Sequence, residues 1–228
     1  MRETLRADGR RARVLVIGGG TRGGGTDAIY EAPDLDVIAF DIYASRWCQF
    51  IADAHSIPLE SRTIDAVWVQ AVLEHVLDPW QVVAEIERVL RPNGLVYAET
   101  PFLQQVHEGA YDFTRFTESG QRWLFRRFER LDSGLIAGPG IQFAWSIEHL
   151  VRALTRSRMV GRLARLGLFW VQWLDGVTGR SQSLDGASCT YFFGRLSERS
   201  ISPRDMVRHY ANVRANSPNH PDETGPRR

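Results

Sequence analysis

The chain has 228 residues, which is enough for one domain of ordinary size. Apolar residues make up 43% and charged residues 24%, a balance typical of soluble globular proteins. The formal net charge is only +1, so the protein offers no strong field for polyphosphate, and no nucleic-acid binding is expected. All 28 basic residues are arginine, which excludes lysine-dependent phosphate loops, Schiff-base chemistry and protein-kinase catalysis.

The start of the chain and its cysteines indicate a reducing compartment. Residues 1–11 form a polar, arginine-rich arm with no apolar stretch of signal-peptide type behind it, and no run of residues reaches transmembrane length. Cys48 and Cys189 lie far apart and form no paired metal or redox motif, so free thiols are expected. We therefore predict a cytoplasmic protein.

The first predicted unit is a strand, a glycine-rich turn, a short helix and a second strand. Ala12–Ile17 is a largely β-branched run that leads into the glycine-rich residues 18–25, called the glycine loop below. Thr26 can cap a short helix that ends near Tyr30, and Asp36–Asp41 is a second buried strand that ends in a carboxylate. This order predicts a βαβ unit.

Five further strands and two further helices are predicted. The strands are Gln49–Ala52, Asp65–Gln70, Leu95–Thr100, Phe128–Ala137 and Ala187–Leu196. One helix begins after Asp78 and stops at Pro92, and another is capped by Thr117 and reaches about Arg127. Only seven residues, 42–48, precede the third strand, fewer than a parallel crossover needs. Either the connecting helix is reduced to one turn or the strand boundaries are wrong by a few residues.

The order of these elements predicts the fold class. Strands that alternate with helices indicate an α/β, Rossmann-like, doubly wound and mostly parallel sheet of seven strands. A helical segment, residues 141–186, is inserted before the last strand. We predict one domain over residues 12–200, followed by a segment, 201–228, whose polar part from about residue 212 is disordered.

The carboxyl ends of the strands are where an open α/β sheet binds its ligands. Glycines let a ligand approach the backbone N–H groups of the glycine loop. Asp41 lies about twenty residues further on, where a carboxylate can accept hydrogen bonds from the ribose hydroxyls of an adenosine cofactor. These two features leave NAD and S-adenosylmethionine equally open.

Four later segments, taken together with the glycine loop, distinguish between these cofactors. They are Asp53-Ala54-His55-Ser56-Ile57-Pro58-Leu59, Ile64–Gln70, Val72-Leu73-Glu74-His75-Val76 and Val89–Leu95. In this order, over about residues 12–130, the sequence resembles the class I S-adenosylmethionine-dependent methyltransferases of methyltransferase type 11, in the branch typified by the ubiquinone and menaquinone methyltransferases. The resemblance implies S-adenosylmethionine as cofactor and methyl transfer as activity.

The resemblance also implies the residues around the cofactor. Those expected there are Gly18, Gly19, Gly20, Asp41, Ile42, Asp53, Ala54, Gln70 and Ala71. Asp41 would bind the ribose, and Asp53 with Ala54 would meet the adenine. Glu74 and His75 would line the acceptor side. Val16 stands where the family usually has an acidic residue, and the glycine loop is longer than usual.

Methyl transfer to a hydroxyl needs a base, and the loop after the fifth strand offers one. Histidine titrates close to neutral pH, so His107 is the predicted base, with Asp112 orienting it as its catalytic partner. Tyr111 and Arg115 are predicted to contact the acceptor. The alternative is a surface histidine beside an Asp112–Arg115 ion pair that only shapes the loop. No two histidines show a metal-binding spacing, so no metal site is predicted.

Residues 143–174 combine two apolar helical stripes with several arginines. One interpretation is a lid, or a face that packs against the sheet or a second subunit of a homodimer. The other is an amphipathic surface that lies on anionic lipid at the inner face of a membrane. The sequence leaves both open.

The leading functional hypothesis is a methyltransferase that acts on a small-molecule acceptor. Residues 111–117 resemble a segment of methyltransferases associated with saccharide biosynthesis, which favours O-methylation of a saccharide or related metabolite. Two alternatives remain. A non-catalytic module with this fold would explain Val16 and the unusual glycine loop, and a nicotinamide-dependent oxidoreductase would explain the glycine loop and Asp41 alone.

Overall fold

The computed structural model describes residues 10–177 and 183–215, together with Met1 and Leu5. Most of the predicted N-terminal arm and residues 216–228 of the predicted tail lie outside the described residues. The last helix runs past residue 212, where the disordered tail was predicted to begin.

Seven strands and six α-helices form the described part of the chain. The strands are β1 Ala12–Ile17, β2 Leu35–Asp41, β3 Phe50–Ile51, β4 Ile64–Gln70, β5 Leu90–Pro101, β6 Phe128–Ala137 and β7 Cys189–Leu196. The helices are α1 Asp27–Tyr30, α2 Pro79–Val89, α3 Glu118–Leu124, α4 Pro139–Thr155, α5 Arg158–Gly167 and α6 Pro203–Ala215. Two 3₁₀ segments, Gly109–Tyr111 and Phe169–Gly176, complete the order.

The strands form a single sheet with the order β3-β2-β1-β4-β5-β7-β6. Each pair from β3 to β5 is parallel, whereas β7 runs antiparallel to both β5 and β6. The predicted Rossmann-like, mostly parallel sheet of seven strands is therefore confirmed, as is the helical segment before the last strand. Because β1, β2, β4 and β5 are parallel, the segments that follow them meet at one edge, which we call the carboxyl edge.

The third strand is the main correction to the predicted elements. It contains only Phe50–Ile51, and no helix lies between it and β2. Gln49, predicted as strand, donates its N–H to the Ala39 carbonyl at 2.9 Å, but the Ala39 N–H is bonded at 2.6 Å to the side-chain oxygen of Gln49 and not to a backbone carbonyl. The link from β2 is too short for a crossover helix, so β3 remains a short edge strand. Elsewhere the element types are as predicted, and the boundaries differ by a few residues.

Both faces of the sheet are covered, but unequally. Alternate residues of the central strands, such as Leu15 and Val67, point to a large core formed with α2 and α3. The residues between them, such as Val14 and Ala66, point to a smaller core with Ile29 of α1. The larger core fixes α2 and α3, and with them the loops at the carboxyl edge.

The helical segment before β7 packs mainly on itself. Asp175 accepts hydrogen bonds from the N–H groups of Gly140 and Ile141, at 2.6 and 3.2 Å, and so holds the 3₁₀ segment against the start of α4. Many of its large apolar side chains are more than half exposed: Phe143, Leu150, Leu154, Met159, Leu163, Leu166, Phe169 and Trp173. Among the described helices, none is both long and apolar enough to cross a membrane.

A buried ion-pair cluster joins the N-terminal segment to the sheet at Asp65. Its carboxylate accepts hydrogen bonds from Arg10, from Arg91 at 2.8 Å and from the Arg13 N–H at 2.8 Å. Burial opposes ionisation, but the hydrogen bonds from Arg10 and the other donors dominate and lower the pKa of Asp65 to about 2. The ionised carboxylate is thus the form that the fold stabilises.

Asp65→Asn is therefore expected to lower the free energy of unfolding by about 2 kcal/mol at neutral pH, because it leaves arginine charges uncompensated. The difference between the two proteins should shrink as the pH falls from 3.8 towards 2, where wild-type Asp65 becomes protonated. Urea unfolding at pH 7 and pH 3 measures both effects. Asp36→Asn removes an exposed carboxylate 3.8 Å from Arg13 and is the matched control. Equal losses in the two variants would contradict the role of Asp65.

Candidate active site

The glycine loop and Asp41 lie together at the carboxyl edge. Gly18, Gly19 and Gly20 follow β1 directly, and Asp41 ends the neighbouring strand β2. The Asp41 carboxylate accepts a hydrogen bond from the Gly20 N–H at 2.9 Å. A Cβ at position 20 would lie 2.6 Å from that carboxylate, so only glycine allows the loop to approach it. The glycine loop and Asp41, which are both predicted cofactor residues, are therefore in direct contact.

The glycine loop also contacts the segment after β4. Gly18 has a φ of +74°, and a Cβ there would overlap the side chain of Val72. Gly23 packs closely against Gln70, whose amide donates a hydrogen bond to the Gly24 carbonyl at 3.2 Å. These contacts bring the glycine loop next to the segment that contains Glu74 and His75.

Gly18→Ala is expected to destabilise the protein by at least about 2 kcal/mol, because a side chain at positive φ is strained and the new methyl group overlaps Val72. Gly24→Ala is the matched control within the same loop, since a Cβ at Gly24 meets no atom within 4 Å. Urea unfolding of both variants measures the difference. Similar stability of the two variants would show that position 18 tolerates a side chain.

The other predicted cofactor residues occupy different surroundings along the same edge. Ile42 is exposed beside Asp41, and Ala54 is buried in the larger core. Asp53 accepts hydrogen bonds from the ring and the N–H of His55, at 2.6 and 2.8 Å, and these bonds lower its pKa. Their roles towards a cofactor remain predictions.

The end of β4 is tied to β5 by a polar network that the sequence pattern did not reveal. The Gln70 amide donates to Glu99 at 2.9 Å, and the Tyr97 hydroxyl donates to the same carboxylate at 2.6 Å. The Ala71 N–H donates to the Glu99 carbonyl, and Ala71 has a φ of +52°. Alternate residues of a strand point to the same face of the sheet, so the spacing of Tyr97 and Glu99 is the only sequence signal for this network. It fixes the turn that leads to Glu74.

Glu74, His75 and His107 form a second cluster, called the histidine cluster below. The Nε2 atoms of His75 and His107 are 3.1 Å apart. The Oε1 atom of Glu74 is 3.7 Å from the His75 Nε2 atom and 3.9 Å from the His107 Nε2 atom. The residues come from the loops after β4 and β5, which the parallel sheet brings to the same edge. The predicted base and two predicted acceptor-side residues thus share one site.

Backbone and ion-pair contacts hold this cluster in place. The His75 ring is 2.7 Å, through Nδ1, from the Tyr111 carbonyl, so Tyr111 joins through its backbone while its side chain is exposed. Asp112 forms a two-pronged ion pair with Arg115 and accepts a hydrogen bond from the His107 N–H at 3.0 Å. The His107 Nδ1 atom is 3.4 Å from the same carboxylate. Arg115 therefore holds Asp112 in place, and Asp112 in turn holds His107.

The two carboxylates near His107 differ in their electrostatics. Glu74 is only 1% exposed, and burial raises its pKa to about 7. The Arg115 guanidinium, with the His107 N–H, lowers the pKa of Asp112 to about 2. Asp112 is therefore ionised behind His107, whereas neither oxygen of the Glu74 carboxyl group accepts a hydrogen bond from another residue in the described part of the chain. Such arrangements are typical of functional sites.

Residues 17–98 match the family model described as a methyltransferase domain. The chain is 45% identical over 157 residues to a 37.1 kDa protein in transposon TN4556 of Streptomyces fradiae. This alignment covers 67% of the chain and 37% of that protein's length, so the chain spans well under half of this curated relative.

Solved methyltransferases share the fold. One is an S-adenosylmethionine-dependent methyltransferase from Archaeoglobus fulgidus, with a TM-score of 0.53, 16% identity, and coverage of 85% of this chain and 90% of that one. Another is the 1,6-didemethyltoxoflavin-N1-methyltransferase of Burkholderia thailandensis, solved with S-adenosylhomocysteine, with a TM-score of 0.50, 17% identity, and coverage of 86% and 76%. At these identities the likeness concerns the fold.

The residues at the carboxyl edge fit the cofactor of this domain class, S-adenosylmethionine. The Asp41 carboxylate lies at the end of β2 and accepts a hydrogen bond from the Gly20 N–H, but it can still accept hydrogen bonds from the hydroxyl groups of a ligand. The outer part of the glycine loop, at Gly24 and Gly25, borders open space. The predicted branch within the family remains a prediction. The family match over residues 17–98 and the sheet order agree: the chain has the fold of the class I S-adenosylmethionine-dependent methyltransferases.

Proposed function

We propose that the protein transfers a methyl group from S-adenosylmethionine to a hydroxyl oxygen of a small-molecule acceptor. The observation that supports this proposal most is the contact of the glycine loop with Gln70 and Val72, because the histidine cluster begins two residues further on, at Glu74. A cofactor loop next to a histidine that an ionised carboxylate supports is what methyl transfer to a hydroxyl requires.

The residues of the cluster have separate roles in this reaction. Bound S-adenosylmethionine would supply an electrophilic methyl group, with its sulfur as the leaving group. His107 would take the hydroxyl proton of the attacking acceptor on Nε2. Asp112 holds His107 through its N–H and faces Nδ1, so it stabilises the imidazolium that results. Asp112 itself stays ionised because Arg115 pairs with it.

A saccharide or related polyhydroxylated metabolite is the proposed acceptor. The resemblance of residues 111–117 to saccharide methyltransferases supports this choice. The exposed side chain of Tyr111 supports it as well, because its hydroxyl can form hydrogen bonds with a polar acceptor. Glu74 and His75 would then contact the acceptor from the β4 side.

The exposed apolar side chains of residues 143–174 support binding of this segment to another molecule, away from the carboxyl edge. Their area and the arginines between them fit either a second copy of the chain or the anionic inner face of a membrane. A cytoplasmic enzyme with such a surface remains our proposal for its location.

Calorimetric titration of the purified chain tests the cofactor and separates the alternatives. We expect S-adenosylmethionine and S-adenosylhomocysteine to bind in the micromolar range, and NAD not to bind. Binding of NAD alone would favour an oxidoreductase. Binding of S-adenosylmethionine without formation of S-adenosylhomocysteine across a broad panel of hydroxylated acceptors would favour the non-catalytic module.

A further inference from the structure

We propose that Glu74, His75 and His107 bind a divalent transition-metal ion, with its remaining coordination positions open to an acceptor oxygen. The sequence predicted no metal site, because its histidines show no ligand spacing. The structure brings two of them together with a carboxylate from loops that are distant in the chain.

The distances within the cluster match those between ligands of one metal ion. The two Nε2 atoms are 3.1 Å apart, and the Glu74 Oε1 atom is 3.7 and 3.9 Å from them. A point that is about 2.1 Å from all three atoms follows from these separations, and this is the usual length of metal–imidazole and metal–carboxylate bonds. The three ligand atoms are therefore spaced as the ligands of one metal ion would be.

The hydrogen bonds of the imidazole rings leave lone pairs at that point. The His75 Nδ1 atom faces the Tyr111 carbonyl at 2.7 Å, which accepts its proton, so the neutral ring has an unprotonated Nε2. The His107 Nδ1 atom lies 3.4 Å from two acceptors, the Asp112 carboxylate and the Gln105 carbonyl, which favour a proton on Nδ1. In that tautomer the His107 Nε2 atom also carries a lone pair. Both Nε2 lone pairs would then be available to a metal ion, which would replace the N–H···N hydrogen bond that the 3.1 Å separation otherwise allows.

The burial of Glu74 is a second observation, separate from the distances, that supports a bound cation. Its side chain is 1% exposed, yet neither carboxylate oxygen has a hydrogen-bond partner among the described residues. A buried carboxyl group without a partner is costly, and burial of an anion is normally compensated by a cation or a metal. The oxygen nearest the two imidazoles is the one that would bind the ion.

The set of donor atoms selects the class of ion. Two imidazoles and one carboxylate suit zinc, iron(II), manganese, cobalt or nickel better than magnesium or calcium, which prefer all-oxygen sites. The His75 and His107 side chains are partly exposed whereas Glu74 is buried, so the ligands cover one side of the ion. The outer side stays open, as in catalytic metal sites.

The bound ion would change how the acceptor is activated. An acceptor hydroxyl that coordinates the open side becomes more acidic, and its proton can pass to water. His107 would then act as a ligand through Nε2, with Asp112 as the carboxylate behind it. This role in catalysis rests on the proposed function, but binding of the ion does not.

The test measures metal binding by the untagged full-length chain after treatment with a chelator. Calorimetric titrations with Zn²⁺ and Mn²⁺, and visible absorption with Co²⁺, need neither cofactor nor acceptor. We expect one ion per chain and a Co²⁺ spectrum that shows nitrogen and oxygen ligands. His75→Ala and His107→Ala should each weaken binding by about 100-fold or more, and Asp112→Asn by about tenfold.

Two further variants test whether metal binding depends on the proposed ligands rather than on any histidine of the chain. Glu74→Gln keeps the size of the side chain but removes the anionic ligand, and should weaken binding as strongly as the histidine variants. His149→Ala is the control, because that ring is bonded to the Trp145 carbonyl within α4. Thermal melting checks that each variant is folded. The proposal is wrong if none of the three ions binds in the micromolar range, or if binding survives in His107→Ala, whatever the outcome of the S-adenosylmethionine titration.

Discussion

Asp41→Ala is expected to weaken S-adenosylmethionine binding by about 100-fold, because a carboxylate that accepts two ribose hydroxyls contributes two charge-assisted hydrogen bonds. The substitution also removes the acceptor of the Gly20 N–H and so loosens the glycine loop, which packs closely against that carboxylate. Calorimetric titration with S-adenosylmethionine and S-adenosylhomocysteine measures the change, and both ligands should be affected equally because they share the ribose.

Two controls separate loss of the contact from loss of the fold. Asp36→Ala removes a carboxylate from the opposite end of the same strand, where the side chain is exposed, and should leave cofactor affinity unchanged. Asp41→Asn keeps an acceptor for one hydroxyl and should lie between wild type and Asp41→Ala. If Asp41→Ala binds the cofactor as tightly as Asp36→Ala does, the ribose is bound elsewhere, and Asp41 is not a cofactor-binding residue.

The fold could be predicted because its signals are local. The glycine loop, the capping residue Asp78 and the alternation of short apolar runs with helices each depend on nearby residues, and together they gave the seven-stranded sheet. The error at β3 has the same origin. Gln49 bonds to β2 through its N–H, but its side-chain oxygen and not a backbone carbonyl accepts the Ala39 N–H, a tertiary contact that no local pattern contains.

The site could be predicted only in part. Asp41 and the glycine loop follow a fixed spacing, so their meeting was foreseeable. The meeting of His75 with His107 depends on how two loops pack, and the Asp112–Arg115 ion pair fixes that packing. For this reason the sequence predicts His107 as a base but gives no signal for its contact with His75 or for the grouping of both rings with Glu74. Residues that are remote in sequence reveal a joint role only once the sheet places them at one edge.

His107→Ala is expected to lower the rate of methyl transfer by about 10²–10⁴-fold, the usual contribution of a positioned proton acceptor. The measurement is formation of S-adenosylhomocysteine with a hydroxylated acceptor found by screening, at saturating concentrations of both substrates. His149→Ala is the control, since its ring lies on α4 and bonds within that helix. Cofactor affinity should not change in His107→Ala, because the residue expected to bind the ribose is Asp41, which is not part of the histidine cluster.

The same experiment in the presence of a chelator distinguishes the two roles of His107. If its Nε2 atom is the base, the wild type keeps its rate after metal is removed, and only the substitution lowers it. If Nε2 binds a metal ion, the chelator lowers the wild type to the level of His107→Ala, and added metal restores the wild type but not the variant. A rate within about tenfold of wild type in His107→Ala would contradict both roles, since either one makes this ring necessary for activation of the acceptor hydroxyl.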